Sequence, residues 1–151
     1  MTKTHITRKK SETVRLGSGL AKEILEKGPQ KNQAIIIGLK GDLGSGKTTF
    51  LQGFAKGLGI KKKILSPTFL IMKKFPLMKS DFLSFYHLDC YRVQKEKDVL
   101  DLGFKEILSN PQNIVAIEWS DKIKEILPKN KLNLFFEFLD KNKRRIVLKC
   151  K

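Results

Sequence analysis

The eight residues Gly41-Asp42-Leu43-Gly44-Ser45-Gly46-Lys47-Thr48 follow the spacing G-x-x-x-x-G-K-[ST], and a second hydroxyl, Thr49, stands directly behind them. Their chemistry is that of polyphosphate binding. Glycine lets the backbone take positive φ and curl closely around a phosphate, so that successive N–H groups point inward as an anion nest. A helix N-terminus behind the loop adds unpaired N–H groups and the positive end of a dipole. In such a loop Lys47 reaches the β- and γ-phosphates, and the Thr48 hydroxyl ligates Mg2+, which prefers oxygen donors.

Two further stretches carry chemistry. Glu118-Trp119 closes the apolar run Asn113-Ile114-Val115-Ala116-Ile117. An acid leaving a buried strand downstream of a phosphate loop has the form of a second nucleotide motif, with Glu118 beside Mg2+ directly or through water. His87-Leu88-Asp89-Cys90-Tyr91-Arg92 sets five polar or reactive groups within six residues. Asp89 is suited to orienting water, and Arg92 to steadying phosphate charge or a partner. His87 alone reads as structural, and Cys90, with no matched base, as a space-filler.

These groups need particular elements to hold them. Ala34-Ile35-Ile36-Ile37 is a short β-branched run of the kind buried in parallel sheets, and positions 50, 51, 54, 55 and 58 are apolar at helical spacing. Strand, glycine loop and helix thus come in the order the phosphate loop requires. Upstream, the stripe Leu16, Leu20, Ile24 and Leu25 predicts a helix capped by Ser11 or Thr13 and ended at Gly28-Pro29. Downstream, strands over residues 69–74 and 81–89 are expected to pair antiparallel. A helix follows from about Gln94 to Asn110-Pro111, then a short helix capped by Ser120. The hairpin of residues 132–139 and 144–150 comes last. The fold class is α/β: a P-loop NTPase fold with a mostly parallel central sheet flanked by helices, antiparallel strands and a C-terminal hairpin. One domain is expected over residues 1–151, with 1–10 a flexible basic N-terminus.

Composition bounds the function. The chain of 151 residues is 40% hydrophobic and 30% charged. No apolar run approaches the roughly 20 residues that cross a bilayer, so no membrane partner is expected. Cys90 and Cys150 have neither metal-ligand spacing nor a disulfide framework, which suits a reducing cytoplasm. Net charge is +16, yet only five of the 31 basic residues are arginines. Recognition of phosphates and bases favours arginine's rigid fork, so the excess implies general attraction to RNA rather than a specific contact.

Taken together, Gly-Asp-Leu-Gly-Ser-Gly-Lys-Thr-Thr-Phe at 41–50, Ser-Pro-Thr-Phe at 66–69, His-x-Asp-x-Tyr-Arg at 87–92 and Glu-Trp at 118–119 resemble the TsaE (YjeE) family in content and order. The likeness runs from Ser11 to about Leu148. It implies a small Mg2+-dependent ATPase required for threonylcarbamoyladenosine modification of tRNA beside the anticodon. Such a protein binds ATP, hydrolyses it slowly alone, and acts with the partners TsaB and TsaD, meeting tRNA indirectly through that complex. By the resemblance, residues 41–49 (Gly41, Asp42, Leu43, Gly44, Ser45, Gly46, Lys47, Thr48 and Thr49) hold the triphosphate, while Thr48 and Glu118 are the metal residues. Lys47, Asp89 and Glu118 are catalytic, with Asp89 activating water. Thr13 lies near the adenine, Thr68 near the γ-phosphate, and Trp119 helps nucleotide or partner contact.

Other readings compete. A small-molecule P-loop kinase usually closes an arginine-bearing lid, and no insertion here is long enough for an obvious one. A GTP-dependent switch usually carries Asn-Lys-x-Asp, whereas Asn130-Lys131-Leu132-Asn133 lacks the final acid. An interaction module whose nucleotide only props up the fold would keep its function without Asp89 or Glu118.

Overall fold

The computed structural model describes residues 1–65, 70–78 and 80–150. Its centre is a seven-stranded sheet made of β1 (Thr2–Thr7), β2 (Ile35–Lys40), β3 (Met72–Pro76), β4 (Ser84–Asp89), β5 (Asn113–Glu118), β6 (Leu132–Phe138) and β7 (Arg144–Cys150), in spatial order β1-β7-β6-β2-β5-β4-β3. β2, the apolar strand ahead of the glycine loop, runs parallel to β5 on one side and β6 on the other. β4 pairs parallel with β5, whereas β3–β4, β6–β7 and β1–β7 are antiparallel. The sheet is therefore mixed, with three of six pairings parallel, rather than mostly parallel.

Side chains alternate across a strand, and two cores result. Ile37 and Leu39 of β2, Phe85 of β4 and Ile114 and Ala116 of β5 pack beneath α1 (Lys10–Lys27) and α2 (Lys47–Gly57). Ile36, Leu88, Val115 and Ile117 face the other way, covered by α3 (Lys97–Leu100), α4 (Phe104–Ser109) and a 3-10 helix (Ser120–Ile126). No helix among the described residues is long and apolar enough to cross a membrane.

Where α1 crosses α2, the two backbones approach closely at glycines. A Cβ on Gly17 would lie 2.2 Å from the Phe50 carbonyl oxygen, and one on Gly53 2.0 Å from that of Val14. Glycine at both places brings the two backbones together.

Five expectations need correction. Residues 2–7 are not a flexible tail; they form β1, zipped to β7 from Thr2↔Lys149 to Thr7↔Arg144. Neither Ser11 nor Thr13 caps α1, because the helix begins at Lys10, directly after β1, with Lys9 as its extended N-cap residue. Glu12 instead accepts the Arg8 N–H at 2.7 Å. The helix expected from Gln94 to Asn110 is two short ones, divided where Gly103 takes φ 76°. Ser120 is not a cap but the first residue of its 3-10 helix, with Trp119 in the N-cap position at φ 59°. The strand expected over 69–74 is found as β3 from Met72 onward; Ser66, Pro67, Thr68 and Phe69 lie outside the described residues.

Candidate functional site

Strand register brings the chemistry together. Leu39 of β2 pairs with Glu118 of β5, and Glu118 pairs with Asp89 of β4. The carboxyl ends of three parallel strands thus line up, the place where open α/β sheets bind ligands. The loop 41–46 leaves the end of β2 and delivers its chain into α2. Gly46, the N-cap of α2, takes φ 107°, and Gly41 takes φ 151° with no room for a Cβ, which would fall 2.6 Å from the Phe136 carbonyl oxygen. A left-handed cap residue turns the first amides of α2 toward the loop's hollow.

A cleft of about 670 Å³ opens above this loop. Of the residues singled out from sequence, Thr13, Leu43, Gly44, Gly46, Lys47, Thr48, Thr49, Asp89, Glu118 and Trp119 line it. Gly41, Asp42 and Ser45 do not; Ser45 is buried, and its hydroxyl has no hydrogen bond among the described residues. Thr68 lies outside the described residues.

Lys47 is buried and its ammonium donates to the carbonyls of Gly41 and Asp42, the latter at 3.1 Å. It also sits 4.4 Å over the Trp119 ring. Burial lowers its pKa below 10.5, against the opposing pull of Glu118, Asp89 and Asp42. A cation in this setting is short of negative charge at close range. Trp119 itself takes a left-handed backbone, unusual for an aromatic residue. Its N–H donates to the Leu39 carbonyl at 2.9 Å, and its ring meets that of Tyr91 at 5.1 Å.

Glu118 is almost wholly buried, and its Oε2 lies 2.7 Å from His87 Nε2. Asp89, half-buried, accepts the Tyr91 N–H at 3.0 Å. Burial raises its pKa, an effect the neighbouring Glu118 charge adds to and the Tyr91 bond resists. Cys90, fully buried, is pushed up to about 12 by burial and stays a thiol, as a space-filler should. Thr13, expected as a cap, donates its hydroxyl to Thr7 at 2.8 Å, which ties β1 to α1 where they meet the cleft.

Sequence reasoning missed the opposite wall. Lys9 and Lys10 at the start of α1, Lys141 and Asn142 of the β6–β7 turn, and Arg144 at the start of β7 all line the cleft. Arg144 is one of only five arginines, a signal that was present, but its place depends on a hairpin folding back toward the loop. With Lys47 and Arg92, six cations face two acids, Asp89 and Glu118, and the excess suits a polyanion. Among the described residues no group of three or more His, Cys, Asp and Glu could hold a metal by itself.

The family profile described as "Threonylcarbamoyl adenosine biosynthesis protein TsaE" matches residues 7–146. The tRNA threonylcarbamoyladenosine biosynthesis protein TsaE of Bacillus subtilis (strain 168) is 40% identical over 111 residues, or 74% of this chain and 66% of that protein. Its counterpart in Rickettsia felis is 38% identical over 110 residues, or 72% of this chain and 61% of the relative. The chain thus spans just under two thirds of the length of these relatives. The crystal structure of Bacillus subtilis YdiB superposes with a TM-score of 0.77 at 27% identity, covering 99% of this chain and 86% of that one. On the matched motifs, the extent of the profile and this shared architecture, the chain belongs to the TsaE family.

Proposed function

We propose that this chain is a P-loop NTPase that binds and hydrolyses ATP with Mg2+, and serves threonylcarbamoyladenosine modification of tRNA in the cytoplasm with TsaB and TsaD. The observation that carries the reading is the convergence, over one glycine loop, of a buried lysine with two strand-end acids in register. Loop amides and Lys47 take the phosphates, whose charge the ammonium lacks in its carbonyl cage. Thr48 and Glu118 offer hard oxygen donors on the cleft wall, and a site with so few protein ligands suits Mg2+, which keeps waters and phosphate oxygens. When bound, the ion supplies neutralisation of charge on the phosphate oxygens. Asp89, with its carboxylate anchored by the Tyr91 amide, orients the attacking water and accepts its proton. Thr13, on the α1 wall, lies on the side of the adenine, and Trp119 closes the floor under Lys47.

A steady-state ATPase assay with and without TsaB–TsaD tests nucleotide, reaction and partner together. Slow release of phosphate alone and a marked rise with both partners is the expected result. In calorimetry with Mg2+, Lys47→Ala should abolish or greatly weaken ATP uptake. Absence of uptake by the folded parent protein, alone or with the partners, would reject the reading.

A further inference from the structure

His87 and Glu118 come from adjacent parallel strands, β4 and β5, and on the same face of the sheet. That face reads Phe85, His87, Asp89 along β4 and Ile114, Ala116, Glu118 along β5. In register, His87 stands opposite Ala116, not opposite Glu118. A small residue there leaves room for the imidazole to lie along the sheet and meet Glu118 one pair further on, at 2.7 Å. Both side chains are essentially inaccessible, at 1% and 3% exposure. The imidazole engages Oε2 of the Glu118 carboxylate rather than Oε1. Burial alone does not account for such a pair, because apolar residues of similar volume often serve a core equally well. An oriented carboxylate at a ligand cleft does account for it, since hydrogen bonds from outer residues fix metal-binding carboxylates.

We propose that His87 is a positioning residue: its Nε2–H holds the Glu118 carboxylate in one orientation and leaves Oε1 available to the divalent cation. This rests on the reading of Glu118 as a Mg2+ residue. The test compares ATP affinity by calorimetry with Mg2+ in excess and with a chelator, and takes the ratio as the gain due to the ion. Glu118→Gln should remove that gain. His87→Leu, which fills the space but cannot donate, should cut it by about 10-fold or more, leaving chelator affinity near that of the parent. His87→Gln, which restores a donor, should recover most of the gain.

If Glu118→Gln keeps the gain, the metal reading itself fails and the proposal goes with it. Should Glu118→Gln lose the gain while His87→Leu keeps it, only the role of His87 is overturned. A loss in His87→Leu that His87→Gln does not repair overturns it as well. If His87→Leu does not fold, His87→Asn, whose shorter stem carries the donor short of Glu118, takes its place against His87→Gln.

Discussion

The Asp89 carboxylate is held at the end of β4 where burial and the Glu118 charge raise its pKa above the ordinary 3.8, with the Tyr91 amide pulling the other way. A folded-state pKa above the unfolded one means that ionised Asp89 weakens the fold. The penalty is present in full above the folded-state pKa and disappears once the pH is below the unfolded value. Asp89→Asn should therefore raise the melting temperature of the Mg2+-free protein at neutral pH. That advantage should shrink as pH falls through the raised pKa, which calorimetric scans between about pH 7 and pH 4 would follow. The same substitution should lower turnover by roughly 10²-fold or more with modest loss of ATP affinity, the signature of a contact made in the transition state. Stability gained and activity lost at one residue is the trade expected of a strained active-site charge. Equal loss of binding and turnover would count against Asp89 as the group that activates water.

At the level of elements, the crossing of α1 and α2 is set by backbone contact, so adding one carbon should be felt sharply. Helix propensity alone would favour alanine over glycine by about 1 kcal/mol. At Gly53 the clash with the Val14 carbonyl overrides this, because the obstacle is backbone and cannot rotate away. Gly53→Ala is expected to destabilise by about 3 kcal/mol, at the upper end of overpacking costs. Gly19→Ala, on the exposed side of α1 with nothing within 4 Å, should stabilise by roughly 0.5–1 kcal/mol. Denaturant melts of the two variants should move in opposite directions. The elements also show what sequence could reveal. The glycine loop leading into α2, β2, the Glu118 strand and the final hairpin were legible because spacing and apolar runs are local. β1 was not: Thr2 to Thr7 is mostly polar, and its partner lies at the far end of the chain. The break at Gly103 hid inside a helical stripe that continues on both sides of it. The His87–Glu118 bond joins residues 31 apart and follows only from strand register, so no spacing rule could have found it.

Across the whole molecule, the sheet separates two cores and α1 links the cleft at Thr13 to α2. Its first turn carries Thr13, bonded to Thr7 of β1, and its middle rests on α2, which begins at the glycine loop. Such contact leaves neither helix free to open while the other stays in place. Their amide hydrogens should then exchange with heavy water as one class, released only when the entire protein unfolds. The exposed turn at residues 140–143 should exchange long before. Mass spectrometry of peptides from α1 and α2 would separate the cases, since two distinct protection levels would mean that the helices come apart singly. If they share one level, the two walls of the cleft have a common lifetime, and deuterium uptake at one reports on the survival of the other.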